Sequence, residues 1–354
     1  MIRVSIAVLS GVVAVAGVTA AMAGDAENCR SANAILKSDP TTAVSSCRRI
    51  AEKGEAWAQV QLAEMYDYGD GVPQSYAEAA RWYRKAAEQG NPEAQYNLFA
   101  MYYFGQGVKR DVGQAVLWVR KAAEQGYSEA QRGLGLMYRD GREVPQNYAE
   151  ALKWFRKAAE QGNPLAQTNL GAMYGDGHGV PQSDAEALKW YRMAAEKGEM
   201  NAQYNIGGMY DDGKGVPQDD SEAVKWYRKA ADQGLAAAQV NLGVMYNNGE
   251  GVPQNYTAAA TWHRRAADQG NSFAQFNLGS MYLLGHGVEQ DLVAAYMWLD
   301  LAAADLSAES AHDAAIHNRA IAAGKMTPVQ VGEAQRLARE WRPTIENPNY
   351  TIKF

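Results

Sequence analysis

Seven segments, beginning at Ala58, Ala94, Ala130, Ala166, Ala202, Ala238 and Ala274, copy one another at a fixed interval of 36 residues. The copy Ala202–Ala237 reads AQYNIGGMYDDGKGVPQDDSEAVKWYRKAADQGLAA, and the others follow it without drift. A strict period of this length restricts the chain to a stacked array, because one unit cannot bury its apolar face alone and must bury it against its neighbours. The array also explains how 354 residues fold without a single large core.

Each copy reads as two helices joined by a glycine-bearing loop. Ala94, Leu98, Met101 and Tyr102 share one helical face, and Gly105 ends that helix. Ala115, Trp118, Ala122 and Ala123 share a face of the next helix, which Gly126 closes. Gly90, Gly162, Gly198, Gly234 and Gly270 close the others. The second helices start at Ser75, Asp111, Asn147, Ser183, Asp219, Asn255 and Asp291, all of them types whose side chains accept from first-turn amides. Glu78, Gln114, Glu150, Glu186 and Glu222 follow three residues later, the spacing of a capping box. Trp82 and Tyr66, with their counterparts down to Trp298 and Tyr282, lie on the same stripe as the small Ala-Ala pairs. Large residues facing small ones let helices approach closely, so the aromatics read as packing and not as a sugar or cofactor platform.

The pattern A-x-x-x-L-G-x-M-Y-x-x-G-x-G-V-P-x-[DNS]-x-x-E-A-x-x-W-[YF]-R-x-A-A-x-x-G resembles the SEL-one-like repeat, a relative of the tetratricopeptide repeat, and covers about 43–306. The resemblance implies an all-α, α/α superhelical solenoid that holds other proteins together, in a bacterial exported member of the family. Three departures stand out. Glu143 replaces the second loop glycine, Phe99 replaces a small residue, and Asp300 replaces a basic one.

The ends differ from the array. Arg3, the apolar stretch Val4–Ala20 and Ala21-Met22-Ala23 form a signal-peptide pattern over 1–23, with cleavage expected between Ala23 and Gly24. Export without a later membrane-spanning segment implies a periplasmic or secreted protein. Cys29 and Cys47 are the only cysteines, and in an oxidising compartment they are expected to pair. They fall in 24–57, a degenerate first repeat, where a bridge would staple the exposed terminal hairpin by about 3 kcal/mol. The seven repeats then occupy 58–305. Capping helices are expected over 306–341, the last one starting at Thr327-Pro328, and a loosely packed tail over 342–354.

Nothing in the sequence marks chemistry. The H-E-x-x-H, S-x-x-K, G-x-S-x-G and Walker patterns are all absent, so no catalytic residue, cofactor or metal ligand is assigned. His178 and His286 sit at a variable loop position, His263 replaces a Tyr or Phe, and His312 and His317 are poorly spaced for one helical face. The net charge of −6, or −7 without the leader's Arg3, argues against nucleic acid and anionic membranes. A protein or peptide partner remains. In tetratricopeptide relatives the first helices line the concave side. There this chain carries Asn97, Asn169, Asn205, Asn241 and Asn277. By resemblance, such a ladder bonds the main chain of an extended peptide; equally, the amides bridge neighbouring repeats. The adjacent variable column supplies Tyr96, Arg132, Tyr204 and Phe276 as expected exposed anchors. Phe276, Leu283 and Leu284 are expected to enrich one end of this side in apolar surface. The reading is a monomeric, non-enzymatic scaffold. The alternative is an envelope hydrolase acting on peptidoglycan or a β-lactam, an activity linked to cysteine-rich relatives.

Overall fold

The computed structural model describes residues 24–306 and 308–344. The expected leader and most of the expected tail lie outside them. The described residues form an all-α solenoid of helix–loop–helix repeats, with 18 helices from Ala32 to Glu340 and no strand. Residues 24–30 are helical as well.

The chain divides into two compact units that meet at Asn163 and Pro164. The first contains α1 (Ala32–Ile35), α2 (Pro40–Glu52), α3 (Ala56–Tyr68), α4 (Tyr76–Glu88), α5 (Pro92–Phe104), α6 (Val112–Glu124), α7 (Ser128–Asp140) and α8 (Tyr148–Glu160). The second contains α9 (Pro164–Asp176), α10 (Asp184–Ala195), α11 (Met200–Asp212), α12 (Asp220–Asp232), α13 (Ala236–Asn248), α14 (Tyr256–Asp268), α15 (Ser272–Leu284) and α16 (Leu292–Asp305), closed by α17 (Glu309–Gly324) and α18 (Pro328–Glu340). Within each unit every helix packs on its sequence neighbours, except that α18 packs on α16 rather than on α17.

Two side-chain ladders bind repeat to repeat, and a third joins the two helices of one repeat. In the first helix of a repeat, a buried glutamine donates back to an alanine carbonyl at the end of the preceding second helix: Gln95 to Ala87 at 3.1 Å, Gln131 to Ala123 at 3.1 Å, Gln239 to Ala231 at 3.1 Å. That carbonyl is one of the acceptors a helix end leaves without an internal partner. The same glutamine accepts from a second glutamine that ends its own repeat, as in Gln125 to Gln95 (2.8 Å) and Gln269 to Gln239 (2.9 Å). One carboxamide therefore ties three helices. In the second ladder, an arginine of a second helix donates to the tyrosine hydroxyl of the following first helix, as in Arg84 to Tyr102 (2.6 Å), Arg120 to Tyr138 (2.9 Å) and Arg192 to Tyr210 (3.1 Å). The third is steric. A Cβ added at Gly135, Gly171, Gly207 or Gly243 would fall within 2.7 Å of the ring at Phe155, Tyr191, Tyr227 or His263. Where Phe99 takes the glycine's place, the residue twenty positions on is Val119, and both are buried. The departure at Phe99 is a size exchange that keeps the shared volume filled.

The second-helix caps form only by half. The side chains of Ser75, Asp111, Asn147, Ser183, Asp219 and Asn255 accept from the amide three residues on. The reciprocal arm expected from Glu78, Glu150, Glu186 and Glu222 does not close. Each glutamate instead pairs with the base three residues further along: Arg81 at 2.7 Å, Lys153 at 3.1 Å, Lys189 at 3.4 Å and Lys225 at 2.6 Å. A charged partner one turn away outcompetes a neutral backbone amide. At α18, by contrast, Thr327 and Gln330 complete a capping box.

Both ends are sealed. A disulfide joins Cys29 to Cys47, both fully buried, and Arg49 donates to Asp25 beside it at 2.6 Å. At the other end Asp300 receives Arg319 of α17, which explains its departure from the basic consensus. Trp341 meets Trp298 edge-on at 6.0 Å. The tail is not loose where it begins, since the Thr344 amide donates to the Asp268 carbonyl at 2.8 Å.

The second loop glycine also has a packing role. Gly251, at φ +65°, lies so close to the first turn of α12 that a Cβ would sit 2.2 Å from the Asp220 carbonyl oxygen. Gly90, at φ +91°, has nothing within 4 Å of that position. Gly251→Ala is therefore expected to cost about 2–4 kcal/mol, and Gly90→Ala about 1 kcal/mol from backbone strain alone. Urea titrations of the two variants check the difference. Gln95→Met, which keeps the volume but strands the Ala87 carbonyl, is expected to cost about 1–3 kcal/mol by the same measurement.

Candidate functional site

In the second unit, first helices α9, α11 and α13 and second helices α10 and α12 enclose an open cleft of about 710 Å³. Tyr191, Tyr204 and Tyr227 form its aromatic part, Asn205 and Asn241 supply amides, and Asp176, Asp184, Asp211 and Asp212 supply carboxylates. The aromatics are placed by the same packing that builds the fold. Tyr191 and Tyr227 lie over Gly171 and Gly207, and Tyr204 packs on Tyr227 with ring centroids 5.6 Å apart.

The polar groups of the cleft are coupled. The Tyr227 hydroxyl donates to Asp211 at 3.2 Å. Asn241 stands by the same hydroxyl and Asn205 by that of Tyr191, and each favours the ionised phenol. Burial raises the pKa of both phenols. It also raises that of Asp211, with Asp212, Asp220 and Glu250 adding repulsion in the same direction. Lys214 contributes the one lysine of the lining and is held by Asp212 at 2.8 Å. His178 stands 3.9 Å from Asp176.

Of the residues singled out in the sequence, Tyr204, Asn205 and Asn241 come together here. Asn169 and Asn277, also in the second unit, are half-buried outside the lining, and Asn97 is half-buried in the first unit. Asn205 and Asn241 line the cleft beside a tyrosine of the preceding repeat.

The variable column does not consist of exposed anchors. Arg132 is buried at 4% exposure and pairs with Glu129, which also accepts from Asn163 at 2.7 Å. Tyr96 packs against Phe99 and, at 5.5 Å, against Tyr127. Its phenol is pushed up to about 12, mainly by burial. Thr168 donates to Glu199 at 2.7 Å. Phe276 is half-buried against Ala302, Leu306 and Ala315. The column meets the residue that opens the next first helix, so it varies because its partner varies, not because it is free. The expected apolar end is likewise covered: Leu283 is buried against Ala322 and Ala334 of the closing helices, leaving Leu284 exposed.

A carboxylate of the first unit escaped the sequence reading. Glu64 lines a smaller cavity of about 240 Å³ with Gln61, Tyr68 and Asp70, and Gln61 donates to it at 2.9 Å. Burial, then Glu93 and Asp67, push its pKa up to about 7. The sequence signal was faint, a glutamate on a first helix at a position usually filled by a small or apolar residue.

No group of three His, Cys, Asp or Glu among the described residues is placed to hold a metal ion. No helix among them is long and apolar enough to cross a membrane.

Comparison with known proteins now places the architecture. The Sel1 repeat profile matches residues 58–91, 92–127, 128–163, 164–199, 201–235, 236–271 and 272–305. The chain belongs to the Sel1 repeat family. It is similar to a Sel1 repeat protein from Oxalobacter formigenes at 37% identity, over 82% of this chain and 85% of that one, with a TM-score of 0.64. It is also similar, at 32% identity over 86% and 87% of the two chains and a TM-score of 0.35, to a protective antigen of uropathogenic Escherichia coli with an SLR fold. A search among curated proteins returned no match. Sel1 repeat proteins generally mediate protein–protein interactions.

His263 shows how the family's packing absorbs a titratable group. It occupies the ring position over Gly243, it is 2% exposed, and its Nδ1 has no hydrogen-bond partner. Burial pushes its pKa down to about 4 from the usual 6.5. Below pH 6.5 the unfolded chain binds a proton that the folded chain refuses, so stability falls as pH drops from 6.5 towards 4. The loss is expected to reach about 3 kcal/mol. His263→Phe should remove this part of the acid sensitivity, as read from urea midpoints at pH 7 and pH 4.5.

Proposed function

We propose that this Sel1 repeat protein is a non-enzymatic scaffold of the bacterial envelope that captures an extended segment of a partner protein in the α9–α13 cleft. The observation that carries this reading is the convergence of Tyr204, Asn205 and Asn241, from consecutive repeats, on one open cleft. Amides spaced by the repeat meet successive main-chain groups of an extended chain, and tyrosine rings supply contact area with little rotamer entropy to lose. The walls are fixed by the glutamine and arginine ladders, so binding does not have to order the receptor. The signal-peptide pattern over 1–23 and the Cys29–Cys47 bridge support export to the periplasm or beyond. Sealed ends support a monomer.

The test is photocrosslinking in intact cells. A photoreactive residue at position 204 is expected to trap a defined polypeptide, and one at the exposed position 225 of α12 is not. The Tyr204→Ala, Asn205→Ala double variant, with the crosslinker moved to position 241, is expected to lose most of the product while its melting curve stays cooperative. An unchanged product would sink the cleft reading, and turnover of nitrocefin or muropeptides by the purified protein would replace it with the hydrolase.

A further inference from the structure

Within the repeats of the second unit, bases are confined to second helices and loops, while acids occur on both kinds of helix. Its first helices α9, α11, α13 and α15 carry no lysine or arginine at all, while Asp176, Asp211 and Asp212 stand on α9 and α11. Its second helices carry the bases, including Lys189, Arg192, Lys225, Arg228 and Lys229 on α10 and α12. The outer bases are already engaged: Lys189 and Lys225 pair with glutamates, Arg192 and Arg228 bond tyrosine hydroxyls, and Lys229 lies 3.7 Å from the Trp226 ring centre. The cleft lining sets Asp176, Asp184, Asp211 and Asp212 against one lysine, Lys214, which Asp212 already holds, so it faces its guest with a net negative charge that low-dielectric walls concentrate.

We propose that the cleft selects cationic polypeptide segments, seating a lysine or arginine side chain against Tyr204 with its charged end at Asp211. This inference rests on the peptide-binding reading above and adds the chemistry of the partner. The pieces meet at one point. Tyr204 is half-buried and offers ring surface for an alkyl stem and a cation, while the buried Tyr227 ring backs it at 5.6 Å. Asp211 accepts from the Tyr227 hydroxyl at the edge of that pair, and the charges acting on it are those of Asp212, Asp220 and Glu250. A half-buried carboxylate among like charges is held at a cost, and an incoming cation relieves the repulsion without breaking an existing ion pair. An acidic guest meets the reverse, adding a like charge to a site that is already strained electrostatically.

The experiment uses the full chain and three fluorescein-labelled octapeptides alternating alanine with lysine, acetyl-lysine or glutamate, read by anisotropy at physiological ionic strength. The lysine peptide is expected to bind, the acetyl-lysine peptide about tenfold more weakly, and the glutamate peptide not measurably. Asp211→Asn with Asp212→Asn is expected to weaken lysine-peptide binding about tenfold. Glu196→Gln with Asp232→Asn removes the same charge from exposed positions on the second-helix side and is expected to leave the affinity within about twofold. Equal affinity for the lysine and acetyl-lysine peptides overturns charge selection while sparing the peptide-binding reading. Equal losses in the two double variants overturn the site, because attraction is then diffuse. Failure of all three peptides to bind overturns both. Thermal melts confirm that each variant is folded, and removal of buried or repelling carboxylates is expected to leave the melting temperature unchanged or raised.

Discussion

Burying a carboxamide between helices costs least when both of its ends are used. The stacking of this chain leans on that condition at Gln59, Gln95, Gln131 and Gln239, while Gln275 in the last repeat keeps only its Nε2 bond. The side chain of Gln95 reaches back to the last turn of α4 and is itself held by Gln125 at the end of α6. Were one end unmet, the desolvated group would oppose stacking by about as much as the bond favours it. With both met, the relay fixes the spacing and rotation of each repeat on the next, because the geometry closes at one arrangement only. Apolar burial drives the helices together, but alanine-rich faces slide easily. The glutamines and the Arg–Tyr ladder convert a greasy contact into a register.

That register explains which positions are free to change. The ring over Gly207 is tyrosine, over Gly243 histidine, and Leu299 stands over Gly279, so the second-helix partner varies while the glycine stays. At Phe99 the exchange runs the other way, with Val119 giving up the volume. The pairs Tyr96 with Tyr127 and Thr168 with Glu199 show the same logic between the variable column and the start of the next first helix. Variation in one column is thus compensated in another, and a position read alone looks unconstrained when it is only paired at a distance.

The helices, their period, their caps and their loop glycines were legible because they depend on neighbours within a few residues, and every repeat states them again. What was not legible depends on residues 18 to 31 apart, either between the two helices of a repeat or across the repeat boundary. Gln95 and its six counterparts are invariant in the sequence, and that invariance was the signal for the relay, but a glutamine on a helix carries no local signature of burial. The capping-box reading failed for a similar reason. Glu78 has the right spacing to the cap residue, yet Arg81 sits closer to its charge than any amide does. Of the candidate site, Tyr204, Asn205 and Asn241 were visible as repeated or aromatic positions, whereas Asp211 looked like one more solvated loop acid until the fold half-buried it beside Tyr227.

The charge pattern follows from the same construction. A second helix must supply an arginine to the tyrosine of the following first helix and bases to answer its own first-turn glutamates, so cations accumulate on that layer as a by-product of folding. The first helices owe nothing to either ladder except a tyrosine and a glutamine, both neutral. Their remaining surface is free to take any charge, and in the second unit it has taken only acids. An unconstrained surface that nonetheless carries a single sign is the place where selection by a partner, not by the fold, leaves its mark. For that reason the cleft on the first-helix side of the second unit, and not the more densely charged second-helix layer, is where the function of this chain is to be sought.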